Sequence, residues 1–185
     1  MGQRKDFIDT AKAEVGTVEG PKENETKYGA FTKSNFLPWC GSFVNWCANQ
    51  VGLKIPNCVS TVVGAKAFMK NKQWEDVASA EPLPGYIVFF DFPGDALNRI
   101  SHVGIVISNN GDGTVDVIEG NTSPDKKGSQ RNGGQVSKKL RAFKKNKQGE
   151  MISIVGFGRP KFGNAGPSKA APSKSKSEKC PTCGK

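Results

Sequence analysis

The chain contains a single histidine, His102, so any reaction that needs an imidazole near neutral pH must use it. It stands immediately before an apolar run, Val103-Gly-Ile-Val-Ile. Across the turn Ser108–Thr114 lies a second such run that ends in Glu119-Gly-Asn121. With Ser108 opposite Thr114 as the hairpin closure, antiparallel counting puts His102 opposite Gly120, between Glu119 and Asn121. A slip of one residue makes it face one of them. Glu119 and Asn121 are two apart and share a face if the strand runs that far. A carboxylate or a carboxamide beside an imidazole is the orienting arrangement a general base uses.

A nucleophile completes such a set, and Cys40 is the candidate. It follows Pro38 and begins a run whose apolar residues (Cys40, Phe43, Val44, Cys47, Val51) recur at helical spacing, with Gly52 as a C-terminal stop. In the first turn of a helix, free N–H groups and the dipole favour a thiolate and can hold an oxyanion. Cysteine on an early helix, then histidine and a polar orienter on later strands, is the papain-like order of parts. Each residue also fits a structural role: a small buried cysteine, a histidine at a strand edge, a glutamate that ends a strand. Cys47 and Cys58 are assigned that buried role.

The elements that must position these groups change character midway. Phe7, Ile8, Ala11 and Val15 predict a first helix that ends at Gly16, followed by a polar loop from Gly20 to Leu37. The helix opened by Pro38 comes next, then a third from near Ser60 carrying Val62, Val63, Phe68 and Met69. Beyond it, Tyr86–Asp91, Val103–Ile107, Val115–Glu119, Gln135–Leu140 and Ile152–Phe157 read as strands separated by Gly, Pro and Asn turns. Helices followed by a strand meander argue for an α+β fold with an antiparallel sheet packed on N-terminal helices. Residues 1–160 are expected to be the folded domain, and 161–185 a flexible basic tail ending in Cys180-Pro-Thr-Cys183.

The 185 residues suit one domain, and 36% hydrophobic content excludes a wholly disordered chain. No apolar run approaches the roughly 18 residues that span a membrane. The first residues, Met-Gly-Gln-Arg-Lys-Asp, lack an apolar segment behind them and read as neither a secretory signal nor a myristoylation site. Five irregularly spaced cysteines suggest a reducing compartment over a disulfide framework. The net charge of +10 points to an anionic partner.

Several segments carry a family resemblance. Pro38-Trp-Cys-Gly-Ser-Phe-Val-Asn-Trp-Cys-Ala-Asn-Gln-Val-Gly-Leu53 resembles the nucleophile helix of CHAP domains (cysteine, histidine-dependent amidohydrolase/peptidase). Pro84–Phe92 and Ile100–Val106 look like that family's core and histidine strands, and Ile118–Ser123 like its Glu/Asn segment. Gly128–Gly134 and Val155–Pro160 are similar to versions found in bacteriophage endolysins. The resemblance covers about residues 1–160. It implies Cys40 as nucleophile, His102 as general base, Glu119 as orienter of the ring and Asn121 as polar support to the ring or the intermediate. It further implies cleavage of a peptidoglycan amide bond, as a muramoyl-alanine amidase or an endopeptidase, by an endolysin that waits in the host cytoplasm for membrane permeabilisation.

That chemistry requires no cofactor. Some CHAP domains hold Ca²⁺ in an acidic loop before the nucleophile. Here Glu19, Glu23, Asn24 and Glu25 are interleaved with Lys22 and Lys27 and lack calcium-loop spacing, so no metal is expected. Cys180 and Cys183 are half a zinc site, read as exposed thiols with an intermolecular clasp as the second option. Lys138, Lys139, Arg141, Lys144, Lys145 and Lys147 form a basic cluster, and Lys169, Lys174, Lys176 and Lys179 dot the tail. With no aromatic interleaving, attraction to anionic wall polymers is preferred to nucleic acid. A monomer is expected. The alternative is a virion-associated or non-catalytic wall-binding module on the same scaffold.

Overall fold

The packing of the first helix is set by Phe7, Ile8 and Ala11, spaced so that one face of α1 (Gln3–Ala13) is buried. The computed structural model describes residues 2–93, 95, 97, 99–125, 127–144 and 152–163, so the expectations for the tail and for Cys180 and Cys183 lie outside the described residues. α1 stops at Ala13, short of the expected end, and leaves Val15 exposed. α2 (Lys27–Phe31) falls inside the segment expected to be loop; Thr26 caps it by accepting from the Gly29 N–H. A five-residue helix is too short to display a period, which is why the sequence pattern does not reveal it. α3 (Cys40–Gln50) buries Cys40, Phe43, Val44 and Cys47 as expected, but Trp39 is its N-cap, so Pro38 precedes the cap instead of occupying the first turn. α4 (Thr61–Lys70) begins after Ser60 and buries Thr61, Gly64, Ala65 and Phe68. Its inward face is rotated from the expected one: Val63 and Met69 are exposed, because small residues at 61, 64 and 65 let the backbone approach the core.

Six strands follow: β1 (Trp74–Asp76), β2 (Ile87–Phe90), β3 (His102–Asn109), β4 (Thr114–Thr122), β5 (Gln135–Ala142) and β6 (Ile154–Gly158). They form one sheet in the order β1-β6-β2-β3-β4-β5, with every strand pair antiparallel. The fold is α+β. β1, three residues long, had no alternation to announce it. Strand parity divides the core. Ile87, Phe89, Val103, Ile105, Ile118 and Val136 pack with the helices. Val88, Phe90, Val106, Val115, Val117 and Phe157 form a second cluster with Phe143 and Ile154.

α3 lies hard against β4. A Cβ built on Gly120 would stand 2.6 Å from Phe43 Cβ and 2.8 Å from Trp39 Cζ3, so only glycine admits the helix at this depth. The chain ends its described course against α1, where Phe162 packs on Phe7 and the Gly163 N–H donates to Gln3.

Candidate active site

The start of α3 is built from the loop before it. The Trp39 indole is buried, stacks on Tyr28 at 5.3 Å and donates through Nε1 to Glu19 at 3.2 Å. The Phe43 N–H donates to the Trp39 carbonyl at 2.9 Å, opening the helical ladder. The N–H groups of Cys40, Gly41 and Ser42 precede that bond and have no partner within the helix. The thiol of Cys40 therefore sits among free donors at the positive end of the helix dipole.

His102 is the first residue of β3 and shares a sheet face with Phe90, its cross-strand partner. Its Nε2 makes a 3.0 Å hydrogen bond with Glu119 Oε2. Nδ1 meets no hydrogen-bond partner of good geometry among the described residues, and Cys40 and Glu119 are the two neighbours that act on the ring. Burial pushes the pKa of this imidazole down; the Cys40 sulfur and the Glu119 carboxylate outweigh it and raise the value to about 9. The aromatic rings of Phe90 and Phe92 each stand 5.6 Å from the imidazole.

Glu119 reaches the ring by an offset that differs from the expected one. The β3–β4 hairpin closes one residue later, with Asn109 opposite Val115 and Ser108 opposite Asp116. An irregularity between Val106 and Ser108 then sets Gly104 opposite Glu119. The carboxylate must pass over residue 104 to meet residue 102. A Cβ on Gly104 would come within 2.8 Å of Glu119 Cγ, so glycine here opens that path. Burial raises the Glu119 pKa, and the hydrogen-bonded Arg141 guanidinium, aided by His102, overrides it and holds the value at about 2.

Asn121 does not join this group. The expected two-residue alternation with Glu119 fails because Asn121 has φ +57° and the β4–β5 register shifts between Glu119 and Thr122. Its Nδ2 donates to Asn24 Oδ1 at 3.1 Å and to Asn132 Oδ1 at 2.9 Å, and its Oδ1 accepts the Gly134 N–H at 3.1 Å. None of these bonds is to the His102 ring. Asn121 ties the loop before α2 to the segment before β5.

The acidic loop is likewise engaged internally. Glu19 receives the Trp39 indole, Glu23 receives Asn132 at 3.0 Å, and Asn24 receives Asn121. Among the described residues, no three His, Cys, Asp or Glu side chains converge to hold a metal ion.

The structure brings Cys40, His102 and Glu119 together and adds one residue that the sequence reading left in a cationic cluster. Arg141 grips Glu119 with two bonds of 2.7 Å. Alternation along β5 held the signal, since Ser137, Lys139 and Arg141 turn inward while Lys138 and Leu140 turn out. The cluster is not an open positive patch. Lys138 pairs with Asp116 at 2.8 Å, Lys144 with Glu81 at 2.6 Å, and buried Lys139 donates to the Ser123 and Asp125 carbonyls. Lys145 and Lys147 lie outside the described residues. Cys47 and Cys58 are buried, as expected, and burial pushes both thiols well above the ordinary range.

Residues 32–121 match the family model of the CHAP domain, a span that contains Cys40, His102 and Glu119 and leaves out Arg141. Among solved structures, the chain is similar to a Staphylococcus aureus subsp. aureus Mu50 protein described as similar to a lipoprotein of the NLP/P60 family. Identity is 13% and the TM-score 0.43, over 85% of this chain and 41% of that one. No curated protein matches the sequence.

Proposed function

We propose that this protein hydrolyses an amide bond of bacterial peptidoglycan with Cys40 as nucleophile. The observation that carries the reading is the line Cys40–His102–Glu119 inside the CHAP match: a sulfur at a helix N-terminus, an imidazole raised to about 9, and a carboxylate on the ring's far nitrogen. An imidazole with that pKa is protonated at neutral pH and holds the proton that the leaving amine needs. The thiolate attacks the carbonyl carbon of the scissile amide. The N–H groups at the start of α3 receive the developing oxyanion. As the C–N bond breaks, His102 gives its proton to the leaving amine, and a thioester remains on Cys40. His102, now neutral, takes a proton from water, whose oxygen displaces the thiolate and releases the acid. Glu119 holds the ring in the tautomer and orientation that both steps need.

The finer reading is a phage endolysin that acts on the host wall from the cytoplasm once the membrane is permeabilised. It rests on the likeness of segments 128–134 and 155–160 to endolysin sequences. Purified protein should clear a suspension of bacterial walls, and Cys40→Ala should reduce the rate roughly 10³-fold or more while the fold persists. Mass spectrometry of the digest identifies the bond through its new amine. Lysis retained by Cys40→Ala contradicts the mechanism. Binding to walls with no new amines favours a non-catalytic module.

A further inference from the structure

Arg141 lies beyond the CHAP match, on β5, with its backbone opposite Val115 and four residues along the sheet from the partner of Glu119. Its side chain runs back along the sheet face to the carboxylate. Nε donates to Oε1 and Nη2 to Oε2, each at 2.7 Å, a forked pair that fixes the plane of the carboxylate. Oε2 is the atom that also meets His102 Nε2.

The guanidinium is itself held in place. Nη2 donates to Gln130 Oε1 at 3.1 Å, and Cζ stands 5.5 Å from the Phe90 ring and 5.1 Å from that of Phe92. These are the two rings that flank His102. One aromatic pair thus spaces the two cationic groups while Glu119 joins them. Glu119 and His102 are fully buried, and the Arg141 side chain is 13% exposed. Without the fork, the terminal torsion of Glu119 is soft and the carboxylate can turn away from the ring or become protonated.

We propose that Arg141 is a positioning residue for the reaction: it clamps Glu119 so that a single oxygen, Oε2, faces His102 Nε2, which in turn holds Nδ1 toward Cys40. The inference rests on the reading of Cys40 and His102 as the reacting pair. Lysine cannot replace the clamp, because an ammonium supplies charge at a point and no planar fork.

The test uses the full chain as wild type, Arg141→Met and Arg141→Lys. Two readouts are followed against pH: steady-state wall hydrolysis, and alkylation of Cys40 by iodoacetamide located by peptide mapping. Arg141→Met is expected to lower kcat roughly 10- to 100-fold, by analogy with partners that orient a reacting side chain, with KM little changed. Its acid limb should move above the ordinary carboxylate value of 4.5, since Glu119 loses its forked cation. Arg141→Lys should restore the acid limb but only part of kcat. A purely structural role predicts instead a lowered Tm with the pH profiles of the surviving folded protein unmoved, and that result overturns the proposal. So does an Arg141→Lys variant equal to wild type in kcat. Wall hydrolysis that survives Cys40→Ala would instead overturn the proposed function, while the alkylation profiles would still report whether Arg141 governs the pair.

Discussion

At the scale of single residues, the site is a line of groups that act on one another: the Arg141 guanidinium, the Glu119 carboxylate, the His102 imidazole and, beside the ring, Cys40. Each member offsets what burial costs its neighbour, and the signs of the pKa shifts follow. His102 is raised from 6.5 to about 9, so its contribution to stability is full below 6.5 and is lost as pH rises through about 9. Glu119 is lowered from 4.5 to about 2, so its contribution is full above 4.5 and is lost as pH falls toward about 2. Both contributions are complete between those two ordinary values. Catalysis has an alkaline limit of the same origin, because a neutral His102 has no proton for the leaving amine. Wall hydrolysis should therefore decline as pH rises through about 9, measured as initial rates in buffers of constant ionic strength. A rate that holds constant through that range would remove His102 as proton donor. The sequence marked three of these residues as candidates because type and order sufficed: one histidine, one cysteine at a helix start, one glutamate across a hairpin. It concealed Arg141, whose role depends on which way a side chain leaves β5, within a run of cationic residues that looked like surface.

At the scale of elements, register decides which of two candidates orients the ring. The closure of the β3–β4 hairpin, one residue beyond Ser108 and Thr114, and the irregularity that follows it cannot be counted from sequence. They put Glu119 diagonal to His102, and Gly104 clears the way. Gly104→Ala should consequently damage catalysis more than folding. The added methyl meets Glu119 Cγ at 2.8 Å and the Ile118 carbonyl at 3.0 Å, which pushes the carboxylate from the ring. A kcat loss of about 10-fold or more is expected, with a stability cost of roughly 1–3 kcal/mol for overpacking, read by thermal or urea unfolding. Unchanged kcat would show that Glu119 does not need that path. Asn121 illustrates the limit of pattern reading at this scale. Alternation placed it beside Glu119, and its left-handed backbone turned it to Asn24 and Asn132. The long strands and α1, α3 and α4 were legible because each buries a periodic face. α2 and β1 were too short to show one.

At the scale of the whole molecule, the helices and the sheet act as two jaws that bring a sulfur from one and an imidazole from the other together at the start of α3. Depth follows from that assembly. His102, Glu119 and Asn121 are fully buried, and of the four expected site residues Cys40 alone keeps any exposure, at 3%. The proposed reacting pair thus sits in low-dielectric surroundings that strengthen its electrostatics, with the cysteine itself buried. The net charge of +10 suggested attraction to anionic walls, yet the described members of the basic cluster are each partnered: Lys138 and Lys144 in exposed ion pairs with Asp116 and Glu81, Lys139 and Arg141 in contacts within the fold. The central claim, that Cys40 and His102 form one electrostatic unit, is open to direct measurement because the chain has a single histidine. A pH titration of its imidazole by NMR, in wild type and in Cys40→Ala, reports on one ring without ambiguity. The midpoint should lie near 9 in wild type and fall well below that once the sulfur is removed. A wild-type midpoint near the ordinary 6.5, or one that ignores the loss of Cys40, would contradict the account.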